Sequence, residues 1–290
     1  MPQITVRDFN LPSTVECGQL FTYARSNEWY YITRNQRLFA VRQAGGKLEY
    51  RGADGGFIRW FFRLDDDLPG IRRLLEKDPI ITRAFASSMG LRLVRLDLWE
   101  AILSFLCSQA CNIPRIRRVL RNIAEAWGKR LELDGFVSHS LPRPEGIPSE
   151  AKLRAAGVGF RAGYICRAAE AMDDVLLERL QELGYPSARE KLLSLPGVGP
   201  KIADCICLFA LGFLQAFPVD TWIRRMMHDF YFPRSNPKDG EITRFAGEYF
   251  GEYAGYAQQY LYAFYRGCPP ERWKAAARDG RIHFDSRQSP

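Results

Sequence analysis

The chain has no run of about 18 apolar residues among its 290, so no membrane-spanning helix and no membrane partner are expected. Its opening residues, MPQITVRDFN, lack a basic stretch followed by an apolar one. No secretory signal is therefore expected, and the protein should stay inside the cell, in the cytoplasm or nucleoid of a prokaryote or the nucleus of a eukaryote. Histidine is scarce: His139, His228 and His283 are scattered, and no metal-ligand cluster or metal site is expected. The seven cysteines are odd in number and show no disulfide framework, which favours reduced thiols. Only Cys268 lies beyond Cys207, so a C-terminal four-cysteine cluster is excluded. There is no internal repeat and no low-complexity segment.

What is present is a globular composition, 47% hydrophobic and 13% aromatic, in a chain long enough for two subdomains. A net charge of +8 suits a polyanionic partner, though mild basicity alone shifts the odds only modestly. Trp29–Thr33, Leu38–Val41 and Leu48–Tyr50 are rich in aromatic and β-branched residues, with Asn35-Gln36 and Gly45-Gly46 as turns between them. Beyond Asp65-Asp66-Asp67, the residues Ile71, Leu74, Leu75, Ile80, Ile81 and Phe85 suggest short helices. From Asp97 the pattern is helical. Leu98–Leu106 is apolar all round and so buried; Ile116, Val119, Leu120, Ile123 and Trp127 form a stripe behind Pro114, opposite Arg115, Arg117, Arg118 and Arg121. The Pro/Gly-bearing stretch 131–149 reads as a surface excursion. Further helices are expected near 164–172, 174–183, 188–195, 201–211, 221–230 and 241–264. The class is α+β: an antiparallel-sheet domain with short helices over 1–94, packed on a helical domain over 95–290.

The densest signal is LPGVGPKIADCICLFALGFLQAFPVD, from Leu195 to Asp220. It reads as a helix end, a glycine hairpin and a second helix, a helix-hairpin-helix at about 188–211. Gly197 and Gly199 permit a tight turn with positive φ and let backbone N–H groups approach a ligand. The free N–H groups at the following helix start seat a phosphate. Lys201 falls in the first turn of that helix, where the dipole disfavours an ammonium and partial burial acts the same way, as a nucleophilic amine requires. Cys205 at i+4 either shapes the lysine's pocket or fills the core. Asp220 precedes a helical run as an N-cap, and a cap carboxylate facing Lys201 would also stabilise a cationic sugar.

These motifs resemble the 8-oxoguanine DNA glycosylase/AP lyase family of the helix-hairpin-helix-GPD superfamily. The resemblance runs from Gly18-Gln19-Leu20-Phe21 through Asn112-Ile113-Pro114-Arg115 and Gly157–Arg161 to Tyr253–Gln258. It implies a bifunctional base-flipping enzyme of base excision repair, acting as a monomer on double-stranded DNA containing 8-oxoguanine. Lys201 would attack C1′, expel the base and form a Schiff base that permits β-elimination, with Asp220 assisting. The Gly18 carbonyl would accept the N7–H that 8-oxoguanine carries and guanine lacks. Gln258 would read the pairing edge, Tyr262 would stack on the base, and Cys205 would pack against its other face. Phe160 takes the wedge position, while Asn112, Arg115 and Arg161 lie where the opposite base is met. Gly197, Gly199 and Trp222 match backbone contacts. No cofactor is required; a monovalent cation at the hairpin carbonyls is consistent with the family.

Two positions depart from the family pattern. Ala110 stands where a gap-filling asparagine is usual, which puts strict preference for cytosine opposite the lesion in doubt. Trp222 stands where a phosphate-contacting histidine is common. Two alternatives compete with the main reading: a related glycosylase acting on other oxidised or alkylated bases, and a non-catalytic damaged-DNA-binding module.

Overall fold

The computed structural model describes residues 1–172, 176, 179, 180 and 182–267. Half of the helix expected over 174–183 falls outside these residues, and Cys268 and His283 lie outside them too.

Strands β1 (Gln3–Thr5), β2 (Tyr23–Ser26), β3 (Trp29–Arg34), β4 (Arg37–Ala44) and β5 (Lys47–Arg51) form an antiparallel sheet in the order β1-β5-β4-β3-β2. Along β3, Tyr30 and Ile32 turn inward while Trp29 and Tyr31 lie on the more open face, the alternation a pleated strand requires. Asn35 and Gln36 connect β3 to β4 with φ of 42° and 59°, the two left-handed residues of a type I′ turn. Strands β1 and β2 were not foreseen, because three residues, or the sequence Tyr-Ala-Arg-Ser, carry too little pattern.

Four short helices follow or interleave with the sheet: α1 (Leu11–Glu16), α2 (Gly55–Phe61), α3 (Leu68–Leu75) and α4 (Pro79–Ser87). Each has an N-cap side chain accepting a backbone N–H, from Asn10, Asp54, Asp67 and Asp78 respectively. Ile71, Leu75, Ile80, Ile81 and Phe85 are buried as the stripe predicts, but Leu74 points to solvent.

Every residue of α5 (Leu98–Cys107) is buried, Glu100 and Ser104 included. In α6 (Ile113–Trp127) the apolar stripe packs inward, and Arg115, Arg118 and Arg121 are exposed. Arg117 instead folds onto Tyr23, donating to its carbonyl at 2.8 Å with the guanidinium 4.0 Å from the ring. The stretch expected to be a surface excursion contains a hairpin, β6 (Arg130–Leu133) and β7 (Phe136–His139), turned by Asp134-Gly135 at positive φ. It is stapled to the main sheet by Phe136 stacked on Tyr31 at 3.9 Å and by the Thr33–Ser138 hydroxyl pair at 3.1 Å. Asp-Gly is a strong hairpin signal, masked here by polar flanks.

The remaining helices are α7 (Glu150–Ala155), α8 (Ala162–Ala171), α9 (Tyr185–Leu193), α10 (Pro200–Ile206), α11 (Thr221–Phe230), α12 (Asp239–Phe250) and α13 (Ala254–Gly267). The last two were expected as one helix. Gly251 breaks it at φ 66°. Helix α10 widens into a π-type turn over Cys207–Leu211 and ends on left-handed Gly212. The described apolar residues form one continuous core. Helix α13 ties the C-terminal part back to the N-terminal part: Tyr260 packs on Phe85 at 4.0 Å and donates to the Leu91 carbonyl, and Tyr256 donates to Asp66.

Candidate active site

Between α9 and α10 the hairpin turns on Gly197, whose φ is 82° and whose Cα lies against the Tyr164 ring, leaving no room for a Cβ. Gly199 departs from expectation. Its φ of −90° is ordinary extended backbone, and it serves as the N-cap of α10. A Cβ on Gly199 would meet open space, so the turn presents bare backbone outward. The two helices are clamped by buried Asp204, which accepts from Arg189 Nε at 2.6 Å and from the Tyr185 hydroxyl at 2.9 Å.

Lys201, in the first turn of α10, donates from Nζ to Ser108 Oγ at 3.0 Å. Ser108 in turn donates to the Phe105 carbonyl at 2.7 Å, and the Phe105 ring centre lies 5.3 Å from the amine. One turn on, Cys205 is buried, and burial pushes its thiol up to about 12 against the pull of Lys201. It is therefore a neutral wall, not a thiolate. Asp220 caps α11 by accepting the Ile223 N–H at 2.8 Å. Burial raises its carboxyl above the ordinary range, with that N–H and the nearby Lys201 charge opposing. Capping and proximity to the lysine coexist in one side chain.

Gly18 meets α13 through Tyr262 and Arg266. Gly18 has φ 98°, and a Cβ there would lie 2.8 Å from Ile113 Cδ1, 2.9 Å from Arg266 Nη1 and 3.4 Å from Tyr262 Cε1. Only glycine fits, and its carbonyl accepts no hydrogen bond from the described residues. Burial raises the Tyr262 phenol, the Arg266 hydrogen bond opposes the rise and the Asp220 charge adds to it. Gln258, one turn before Tyr262, is 5% exposed. Its Nε2 donates to the Pro218 carbonyl at 3.2 Å, while its Oε1 is buried without a partner. Gly18, Cys205, Gln258 and Tyr262 thus gather around Lys201 and Asp220.

Phe160 lies near the hairpin, its ring 6.4 Å from that of Tyr164, which packs on Gly197. Phe160 is 53% exposed, its ring 4.5 Å from the Arg161 guanidinium. Arg161, of a residue type that is mostly solvated, is buried. Its guanidinium donates to the carbonyls of Gln109, Ala110 and Val158 and so ties down the turn after α5. In that turn Ala110 has φ 45°, a left-handed conformation that costs a non-glycine residue about 1–2 kcal/mol. Asn112 spends its side-chain oxygen on capping, accepting the Arg115 N–H at 3.0 Å, while the Arg115 side chain is exposed. Trp222 is partly exposed beside the Tyr265 ring.

Residues 2–102 match the family described as 8-oxoguanine DNA glycosylase, N-terminal domain, and residues 103–252 match the HhH-GPD superfamily base excision DNA repair protein. The chain belongs to the HhH-GPD superfamily, in its 8-oxoguanine glycosylase branch. It is 34% identical to a probable N-glycosylase/DNA lyase of Methanothermobacter thermautotrophicus, over 71% of this chain and 72% of that one. It is 33% identical to the N-glycosylase/DNA lyase OGG1 of Arabidopsis thaliana, over 90% and 78% of the two chains. Among solved structures it resembles the Clostridium acetobutylicum 8-oxoguanine glycosylase/lyase in complex with double-stranded DNA containing cytosine opposite the lesion. That likeness has a TM-score of 0.85 at 29% identity and covers 90% of this chain and 92% of that one.

Several residues of this HhH-GPD protein's site were not anticipated from sequence. Ser108 holds the amine, yet a serine after an apolar helix reads as a simple end. Asp204 reads as an exposed polar residue until Arg189 and Tyr185 are seen around it. On α13, Gln259 lies beside Cys17 and Arg266 faces Gly18. Their helical spacing from Tyr262, three residues back and four forward, was the available signal.

Proposed function

We propose that the protein is a bifunctional DNA glycosylase and AP lyase that removes 8-oxoguanine from duplex DNA. The observation that carries this reading is the grouping of the Lys201 amine and the Asp220 carboxylate with Gly18, Tyr262 and the Pro218-bound Gln258 beside a bare-backbone hairpin. The hairpin N–H groups grip a phosphate without reading sequence. Phe160, exposed beside the hairpin, fills the gap as the damaged nucleotide swings out. The base enters beside these residues, where the Gly18 carbonyl accepts N7–H and Tyr262 stacks on the ring. The unpartnered Gln258 Oε1 takes a donor from the pairing edge.

Lys201 Nζ leaves Ser108 and forms a bond to C1′ while the bond from C1′ to N9 breaks; the base leaves with that electron pair and takes up the proton that the nitrogen loses. Asp220 stabilises the positive charge that develops on the sugar. The sugar ring opens to an imine on Lys201, loss of a C2′ proton expels the 3′ phosphate, and water then releases the enzyme. Borohydride should trap the imine as a covalent protein–DNA adduct on an 8-oxoguanine duplex, and Lys201→Gln should abolish it. Equal adduct from both proteins would remove Lys201 from the reaction.

A further inference from the structure

Three buried glutamines line the inner segment between residues 17 and 19 and the helix α13, and they are treated differently by the fold. Gln19 is fully bonded: its amide donates to the Thr14 and Arg92 carbonyls at 2.8 Å each and its oxygen accepts the Val94 N–H at 2.9 Å. Gln258 has a buried oxygen with no partner, and Gln259, only 3% exposed, has a buried amide nitrogen with no partner. A buried donor left unmade is costly, so such a group marks either a defect or a ligand's place.

Its direction distinguishes the two. Successive residues of a helix are rotated by about 100°, so Gln258 and Gln259 flank the Tyr262 direction on opposite sides, one turn below it. Gln258 lies on the Pro218 side, where its nitrogen is held. Gln259 lies on the Gly18 side with its amide turned to the Cys17 thiol, a weak sulfur acceptor, and reaches no oxygen acceptor. The nearby acceptors are already engaged. The Cys17 carbonyl takes Arg266 Nη1 at 3.3 Å, the Glu16 carbonyl takes Arg266 Nη2 at 3.4 Å, and the Thr14 carbonyl takes both the Cys17 thiol and Gln19. The free Gln259 donor therefore sits next to the segment whose Gly18 carbonyl is itself free.

We propose that Gln259 is a second base-reading residue, donating its amide N–H to the C8 oxygen of 8-oxoguanine while Gly18 accepts the adjacent N7–H. On the five-membered ring of the base these two groups are neighbours, one an acceptor and one a donor. Guanine offers C8–H and a bare N7 there, so both contacts fail together and discrimination doubles up on one edge. Gln258 then serves the opposite edge. This inference rests on the base-excision reading of the same site.

The test uses the Lys201→Gln protein, which binds without cutting, and three duplexes carrying 8-oxoguanine, guanine or a tetrahydrofuran abasic analogue opposite cytosine. Adding Gln259→Leu should weaken binding to the 8-oxoguanine duplex by roughly tenfold, the worth of one net hydrogen bond. Binding to the other two should be unchanged, since neither presents a C8 oxygen. Gln259→Glu, which sets acceptor against acceptor, should weaken the 8-oxoguanine complex further. Equal weakening on all three duplexes would assign Gln259 a purely structural role and overturn the proposal. Should the leucine variant fail to fold, the Lys201→Gln protein answers alone: 8-thioguanine, a poorer acceptor at the same position, should bind more weakly than 8-oxoguanine, and equal affinity would overturn it. Failure of the wild-type protein to form a borohydride adduct on any 8-oxoguanine duplex would sink the underlying function. A normal adduct with undiminished 8-oxoguanine preference in Gln259→Leu would sink only this inference.

Discussion

Glu100 offers a measurable test of how the sheet and the helical part are joined. It lies in the first turn of α5, buried, with its carboxyl pushed up to about 8 by burial, the neighbouring Asp97 charge adding to this. The Asn35 N–H, at 2.8 Å in the β3–β4 turn, and Arg34 only partly offset that rise. The folded protein keeps a proton on Glu100 that the unfolded chain gives up near its ordinary value of 4.5. Stability from this group is therefore present at low pH, is lost as the pH rises from about 4.5 to about 8, and changes no further beyond. Glu100→Gln keeps the acceptor for Asn35 and removes the titration. Each pH unit inside the window is worth about 1.4 kcal/mol. The variant should therefore gain on the wild type by on the order of 3 kcal/mol between pH 6 and pH 9. Urea unfolding of both proteins across that range reads the difference directly and cancels the titration of other carboxyls such as Asp204 and Asp220. A stability difference independent of pH would refute the buried, protonated Glu100.

Two further outcomes follow from the site. Asp220→Asn keeps a good N-cap for α11, so stability should fall by less than about 1 kcal/mol, while single-turnover base excision should drop far more than DNA affinity; a proportional loss of both would leave Asp220 as a cap alone. Ala110→Gly relieves the left-handed backbone at the turn after α5, so thermal or urea unfolding should report a gain of about 1 kcal/mol, and a loss of that size would show the turn to be held by the Ala110 methyl.

The parts that sequence revealed are those whose signal is local. LPGVGPK fixes a hairpin because Gly197 must be left-handed and Pro200 starts a helix; Pro-Val-Asp before Thr221 fixes a cap. The parts it concealed depend on neighbours distant along the chain. Arg161 reads as solvated by residue type, but the left-handed turn at Ala110 turns the Gln109 and Ala110 carbonyls toward it and draws it in. Gly199 looked equivalent to Gly197, yet its role as a cap needs no positive φ. The Asp134-Gly135 hairpin was hidden because strands of the type Arg-Leu-Glu-Leu gain their stability from the sheet they lean on, here through Tyr31 and Thr33. Ser108 could be assigned to Lys201 only once α5 and α10 were seen side by side.

The far side of α13 bears on the chemistry more than its distance suggests. Gln258, Gln259, Tyr262 and Arg266 ride on a single rod whose back is bolted down by the Tyr256 hydroxyl to Asp66 and the Tyr260 hydroxyl to Leu91. On the proposed reading, the gauge for an incoming purine is thus set by two phenols that never meet it. Slackening either bolt would change what the enzyme accepts while every group that touches the base stayed in place.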